Sequence, residues 1–142
     1  MPGFSQPGNG RAPEVRLGTL AEGGLAPAIM AVVERGVARR PDEARALGIE
    51  VELRMDEGYP PVRIVFGEDV VLVEDGPCAA PELRISGSLP DLVALMIAPT
   101  VGGVPSPLDA RGRAAIALFA SRRVRIQGKL GLLRSFVSLI RL

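Results

Sequence analysis

The chain contains no histidine, no tryptophan and a single cysteine, Cys78. Without histidine it lacks the commonest general base, the commonest metal ligand and any Cys–His dyad. One cysteine makes no internal disulfide, which suits a reducing compartment. Within Gly76-Pro77-Cys78-Ala79-Ala80 it reads as a small residue of an exposed loop. Aromatic residues are scarce at 4%, so a core has to be assembled from Leu, Ile, Val and Ala. The opening residues show no basic segment followed by an apolar one, the mark of a secretory signal. No apolar run approaches the ~20 residues of a membrane span, and a soluble, cytoplasmic protein is expected. Acids are missing from one region altogether: residues 111–142 carry seven Arg and Lys129, a net of +8, without one Asp or Glu. Residues 1–110, with nine Arg and 16 acids, carry −7. Arg outnumbers Lys sixteen to one, a bias typical of GC-rich bacterial genomes.

What is present describes one domain. A chain of 142 residues with 47% hydrophobic content buries enough apolar surface to fold without metal or disulfide. Its 17 Gly and 13 Pro predict turn-rich connections. Residues 1–24, with Pro2, Pro7 and Pro13 among six glycines, show no sustained period and read as a flexible leader. From Leu25 to about Arg40 the residues Leu25, Ile29, Val32, Val33 and Val37 recur at helical spacing. Pro41 opens a second helix that Gly48 ends.

The period then changes to two. Ile49, Val51, Leu53 and Met55 alternate with Glu50, Glu52 and Arg54, predicting a strand with one buried face. After the turn at Asp56-Glu57-Gly58 a second strand carries Val62, Ile64 and Phe66. A third, Val70 to Val73, is apolar on both faces and therefore central. A fourth places Leu83 and Ile85 inward. Ser88-Leu89-Pro90-Asp91 forms a capped helix start, with Leu92, Leu95 and Met96 as its apolar stripe. The Pro-rich residues 99–107 form a loop able to act as a lid. Arg111 to Ser121 is helical, with Ala115, Ile116 and Phe119 on one face. Val124 and Ile126 belong to a fifth strand, and a final helix over 129–142 presents a wide apolar face. The expected fold is α/β in the α+β sense: a five-stranded, largely antiparallel sheet covered on one face by helices, with the domain spanning residues 25–142.

Three stretches give the chain a likeness to a known family. Pro81-Glu82-Leu83-Arg84-Ile85-Ser86-Gly87-Ser88-Leu89-Pro90-Asp91-Leu92 is a strand running into a helix; Arg111 to Phe119 is the helix before the last strand; Arg123-Val124-Arg125-Ile126-Gln127-Gly128-Lys129-Leu130 is a basic-apolar strand ending in Gly. In this order they resemble the sterol carrier protein family of small lipid-binding and lipid-transfer domains. One departure lies at Ser121-Arg122, where the family usually has a Gly-Lys pair, and another in the Pro-rich run from Thr100 to Pro107. The resemblance implies a hydrophobic cavity for a sterol, fatty acyl chain or similar ligand, no catalysis and no cofactor. Some relatives are appended to enzymes or assist quinone biosynthesis.

The candidate ligand wall is the inward face: Leu53, Ile64, Phe66, Val73, Leu92, Leu95, Met96, Ile116, Phe119, Phe136 and Ile140. Periodicity does not separate a lined cavity from a filled core, and both readings stand. A filled core would suit an accessory module acting through a partner protein. Lys129, Arg134 and Arg141 beside the last apolar face suit peripheral contact with an anionic membrane. Nucleic acid is a poor partner for a chain of net charge +1 without aromatics between its arginines. The carboxylate pairs Asp56-Glu57, Glu68-Asp69 and Glu74-Asp75 each adjoin a turn glycine and read as solvated turn residues. No catalytic arrangement and no metal site emerges, and the sequence carries no indication of oligomeric state.

Overall fold

The computed structural model describes residues 12–97, 100–101, 104–105 and 110–141. In chain order these form β1 (Glu14–Leu17), α1 (Ala26–Arg39), α2 (Pro41–Leu47), β2 (Glu50–Met55), β3 (Val62–Phe66), β4 (Val70–Asp75) and β5 (Leu83–Gly87). There follow α3 (Leu89–Ile97), the two-residue strands β6 (Thr100–Val101) and β7 (Val104–Pro105), α4 (Ala110–Ala120), β8 (Val124–Gly128) and α5 (Leu133–Leu139). All five strands read from alternation are present. Helix boundaries follow the sequence signals: Pro41 occupies the first turn of α2, and Gly48 terminates it in the left-handed conformation at φ 58°.

The main sheet has six strands in the order β1-β4-β3-β2-β5-β8, so the expected strand number is one short. The added strand comes from the expected leader. Glu14–Leu17 pairs parallel to β4, and the buried Asp75 carboxylate accepts the Ala21 N–H (2.9 Å) and the Ala26 N–H at the start of α1 (3.1 Å). Residues 12–24 therefore belong to the domain, while residues 1–11 lie outside the described residues. Four residues are too few to show a period, which hid the strand. β1 also explains why Val70 to Val73 is apolar on both faces, since it makes β4 an interior strand. The Glu74-Asp75 pair is likewise no solvated turn: it closes β4 and holds the leader, with the Glu74 carboxylate accepting the Thr19 N–H at 3.1 Å.

β2, β3 and β4 form the expected antiparallel meander. β5 does not continue it. It crosses back to pair parallel with β2, and β8 pairs antiparallel with β5. The crossover, residues 76–82, returns over the sheet face opposite the helices, where the Cys78 N–H donates to the Glu52 carboxylate (3.2 Å). Cys78 is consequently buried, against the expectation of an exposed loop. The helices lie on the other face, α1 over β3, β4 and β1, α3 against β5, and α5 across α1 and α2. Phe66 of β3 meets Phe136 of α5 edge to face with centroids 6.1 Å apart.

The last helix is shorter than its apolar pattern. Leu130–Leu132 forms a 3₁₀ turn and only Leu133–Leu139 is α-helical, with Gly131 inside the tight turn. Gly36 of α1 sits where that helix passes closest to α5: a Cβ there would fall 2.6 Å from the carbonyl carbon of Leu139 and closer still to its oxygen. The Arg39 guanidinium adds a hydrogen bond to the Ser138 carbonyl at 3.0 Å.

Candidate functional site

Helix α3 supplies Leu89, Leu92, Leu95 and Met96 to an apolar cavity over the sheet. Its N-terminus is fixed by three polar contacts. Ser88 Oγ accepts the Asp91 N–H (3.2 Å), and both Glu57 oxygens accept the Leu89 N–H at 3.0 Å. Asp91, buried, takes a bidentate hydrogen bond from Arg123, at 3.2 and 2.9 Å. Asp56 of the same hairpin turn as Glu57 pairs with Arg125 at 2.6 Å. The acidic turn, with Arg123 just before β8 and Arg125 within it, thus clasps one end of α3 to the sheet.

Behind α3 is a cavity of about 20 Å³ lined by Ile29, Leu53, Met55, Ile85, Leu89, Leu92, Leu95, Met96 and Ile140, all of them apolar. Its size decides what it holds in this conformation. An apolar void that takes up benzene measures about 150 Å³, so this one is closed to an acyl chain until a wall moves. Of the eleven wall candidates, Leu53, Leu92, Leu95, Met96 and Ile140 line it. Ile64, Phe66, Val73 and Phe136 are buried core residues away from it. Phe119 is half-buried elsewhere, and Ile116, 39% exposed, points to solvent. Leu118 is the buried residue of α4 instead. The Ala-rich sequence ARGRAAIALFA offers no unique stripe, so spacing alone chose the wrong face. Ile29, Met55, Ile85 and Leu89 complete the wall, and the first three were visible as inward positions of their helix and strands.

A second recess, open to solvent, measures about 480 Å³ and lies between α4, β8 and α5. Phe119, Ala120, Val124, Ile126 and Leu133 line it together with Arg122 and Arg125. Ile126 pairs in register with Ile85. Groove and closed cavity therefore lie over adjacent strands of the sheet. Arg122 adopts a left-handed backbone (φ 62°), the one non-glycine residue among the described ones with positive φ.

The opposite sheet face carries a row of paired residues, Glu74–Arg63–Glu52–Arg84–Gln127, one from each of five strands, with charges alternating in sign. Burial alone would push the Glu52 carboxyl up; hydrogen bonds from Arg84 and Arg54 and from the Cys78 amide outweigh it and hold the group below its ordinary 4.5. Glu74 is also held down, by the Thr19 amide and by Arg63. Arg63, between Glu50 and Glu74, is raised still further above the range where it would lose its proton. Each carboxylate is matched to a guanidinium, which suits a structural strut. Among the described residues no group of three or more His, Cys, Asp or Glu side chains is placed to hold a metal ion.

The final helix buries its apolar face: Phe136, Val137, Leu139 and Ile140 are all core residues. Lys129 and Arg134 are exposed and Arg141 half-exposed. No helix among the described residues is long and apolar enough to cross a membrane.

No protein-family model matches the chain, and no curated protein matches it by sequence. Solved structures do. A UbiJ-SCP2 ubiquinone synthesis protein superposes with a TM-score of 0.56 over 82% of this chain and 84% of that one, at 18% identity. The sterol carrier protein domain 2 of Helicoverpa armigera gives 0.55 at 16% identity, covering 81% of this chain and 84% of that one. The stereoselective inverting sec-alkylsulfatase Pisa1 of a Pseudomonas species gives 0.58 at 12% identity over 81% of this chain, but the match spans only 16% of that enzyme. The chain has the sterol carrier protein fold.

Proposed function

We propose that this sterol carrier protein-like domain is a non-catalytic, cytoplasmic lipid-binding module that holds an apolar chain between α3 and the sheet. The observation that carries the reading is the closed cavity behind α3, whose nine lining residues are all apolar. Loading requires α3 to move outward, because the resting volume is about 20 Å³. Ten buried CH₂ groups are worth about 8 kcal/mol, which has to offset the end contacts of α3 and the packing that Leu92, Leu95 and Met96 lose as the helix moves. No general base is needed, and the carboxylates nearest the site are engaged by Arg123, Arg125 and the Leu89 amide. Native mass spectrometry of protein from its expression host, with organic extraction, tests the reading. A co-purified or added lipid held one-to-one supports it. Protein that carries no lipid and ignores a panel of fluorescent fatty acids and sterols refutes it.

The small resting volume also favours a second reading, an accessory module with a filled core that works through a partner. The ubiquinone synthesis protein of the same fold suggests quinone metabolism as its setting. Peripheral membrane contact would then rest on Lys129, Arg134 and Arg141 alone, since the apolar face of α5 is occupied by the core. Replacing all three with Gln should weaken binding to anionic vesicles by up to ~3 kcal/mol at low salt, about 1 kcal/mol for each charge. Wild-type protein that does not bind such vesicles would end the docking idea.

A further inference from the structure

Resting on the lipid-binding reading, we infer that the open groove between α4, β8 and α5 is the headgroup end of the ligand site. It selects a single-chain amphiphile with an anionic head, a long-chain carboxylate, over neutral lipids.

Three observations meet there. The groove is amphipathic in the right order, with Phe119, Ile126 and Leu133 supplying apolar wall and Arg122 and Arg125 supplying charge. Its volume of about 480 Å³ falls inside the ~300–1,000 Å³ of small-molecule sites. The two arginines are adjacent, with the Arg125 guanidinium donating to the Arg122 carbonyl at 3.4 Å. Arg125 has a partner in Asp56, whereas the Arg122 side chain has no ion pair among the described residues. Residues 111–142 contain no acid, and the carboxylates that reach them from elsewhere, Asp56 and Asp91, are taken by Arg125 and Arg123.

The backbone at Arg122 is the second line of argument. α4 ends in a Schellman closure, with the Arg123 N–H donating to the Leu118 carbonyl (2.9 Å) and the Arg122 N–H to that of Phe119 (3.1 Å). The residue at this turn must be left-handed, and glycine takes that conformation without penalty. Arginine is strained there. Strained residues concentrate where a side chain serves a site, and this one stands at the rim of the groove. Direction follows from register: a tail running inward along Ile126 reaches its cross-strand partner Ile85, a wall of the cavity behind α3.

Binding of dodecanoic acid, 1-dodecanol and methyl dodecanoate, each below its aggregation limit, tests the assignment by displacement of a neutral fluorescent lipid. The acid should bind at least about tenfold more tightly than the alcohol or ester, the worth of one charge-assisted hydrogen bond. Arg122→Gln with Arg125→Gln should reduce that preference, read as the ratio of acid to alcohol binding, to near unity; the ratio is the readout because losing the Asp56–Arg125 pair shifts the affinity for every ligand together. Arg122→Gly guards against a folding artefact, because it should melt no lower than wild type and still lose preference for the acid. Equal binding of all three ligands to wild type, or a preference that survives in the double variant, overturns the headgroup site and leaves the carrier reading standing. A double variant that changes only the response to anionic vesicles overturns it in favour of a bilayer surface. Failure of every ligand to bind overturns the carrier reading as well.

Discussion

Replacing Gly36 with Ala sets helix propensity against packing. In a free helix the change is favourable by about 1 kcal/mol. In this protein a Cβ at position 36 would lie 2.6 Å from the Leu139 carbonyl carbon, where carbon atoms settle at ~3.5–4.0 Å. The obstacle is backbone, which has no rotamer to escape into, and the Leu139 oxygen lies closer still, so α1 and α5 must part by upwards of ~1 Å. That gap opens beside Val33, Val37 and Leu139, all buried, and pulls on the Arg39–Ser138 hydrogen bond. Overpacking of this kind costs ~1–3 kcal/mol or more. With the propensity gain subtracted, we expect a net loss near 2 kcal/mol, or roughly 6 °C at about 3 °C per kcal/mol for a chain of this length. Thermal melts followed by circular dichroism measure it. Gly131→Ala is the control, since nothing lies within 4 Å of a Cβ there, and it should melt at or slightly above wild type. A Gly36→Ala protein that melts at or above wild type would show that the α1–α5 contact does not constrain the fold.

Deleting residues 1–22 should lower the melting temperature by roughly 5–10 °C, because β1 and the Ala21 bond to Asp75 are lost; an unchanged melt would mean that β1 adds nothing. The depressed carboxyls of Glu52 and Glu74 contribute stability that is complete above their ordinary 4.5 and lost as pH falls through their lower folded values. Glu74→Gln should therefore be less stable than wild type at neutral pH and converge with it in acid, as melts between pH 7 and 3 would reveal; parallel curves would contradict the linkage.

Strong local period made most of the fold legible. Val51, Leu53, Ile64, Phe66, Leu83 and Ile85 all face inward as alternation predicts. What stayed hidden was set by contacts distant in sequence. β1 is too short for a period, and it exists because β4 offers a free edge. Whether β5 continues the meander or returns beside β2 depends on the path of residues 76–82, which no local pattern records. The same path buries Cys78 and Glu52, neither of which looks buried in sequence. The site divided similarly: Leu92, Leu95 and Met96 followed from the α3 stripe, whereas the groove requires α4, β8 and α5 to be brought together. The Ser121-Arg122 pair carried a signal, standing where the family usually has Gly-Lys, but the meaning of Arg122 came only from its backbone conformation.

The crossover from β4 to β5 also imposes an order of assembly. Parallel strands cannot be joined by a tight turn, and loop closure must come before the pairing rewards it. β2, β3 and β4 connect through short turns and can associate alone. The crossover then lies across their backs, since its Cys78 amide needs the Glu52 carboxylate already in position. Only afterwards does β5 find its place beside β2, and β8 pairs with the sheet through β5 alone. This topology predicts an early half and a late half, with Ile85, Ile126 and both groove arginines in the late one. Native-state hydrogen exchange should find the β3 amides the slowest and those of the edge strand β8 much faster, with β8 opening while the meander stays closed. The walls that a ligand would have to part are those the fold closes last.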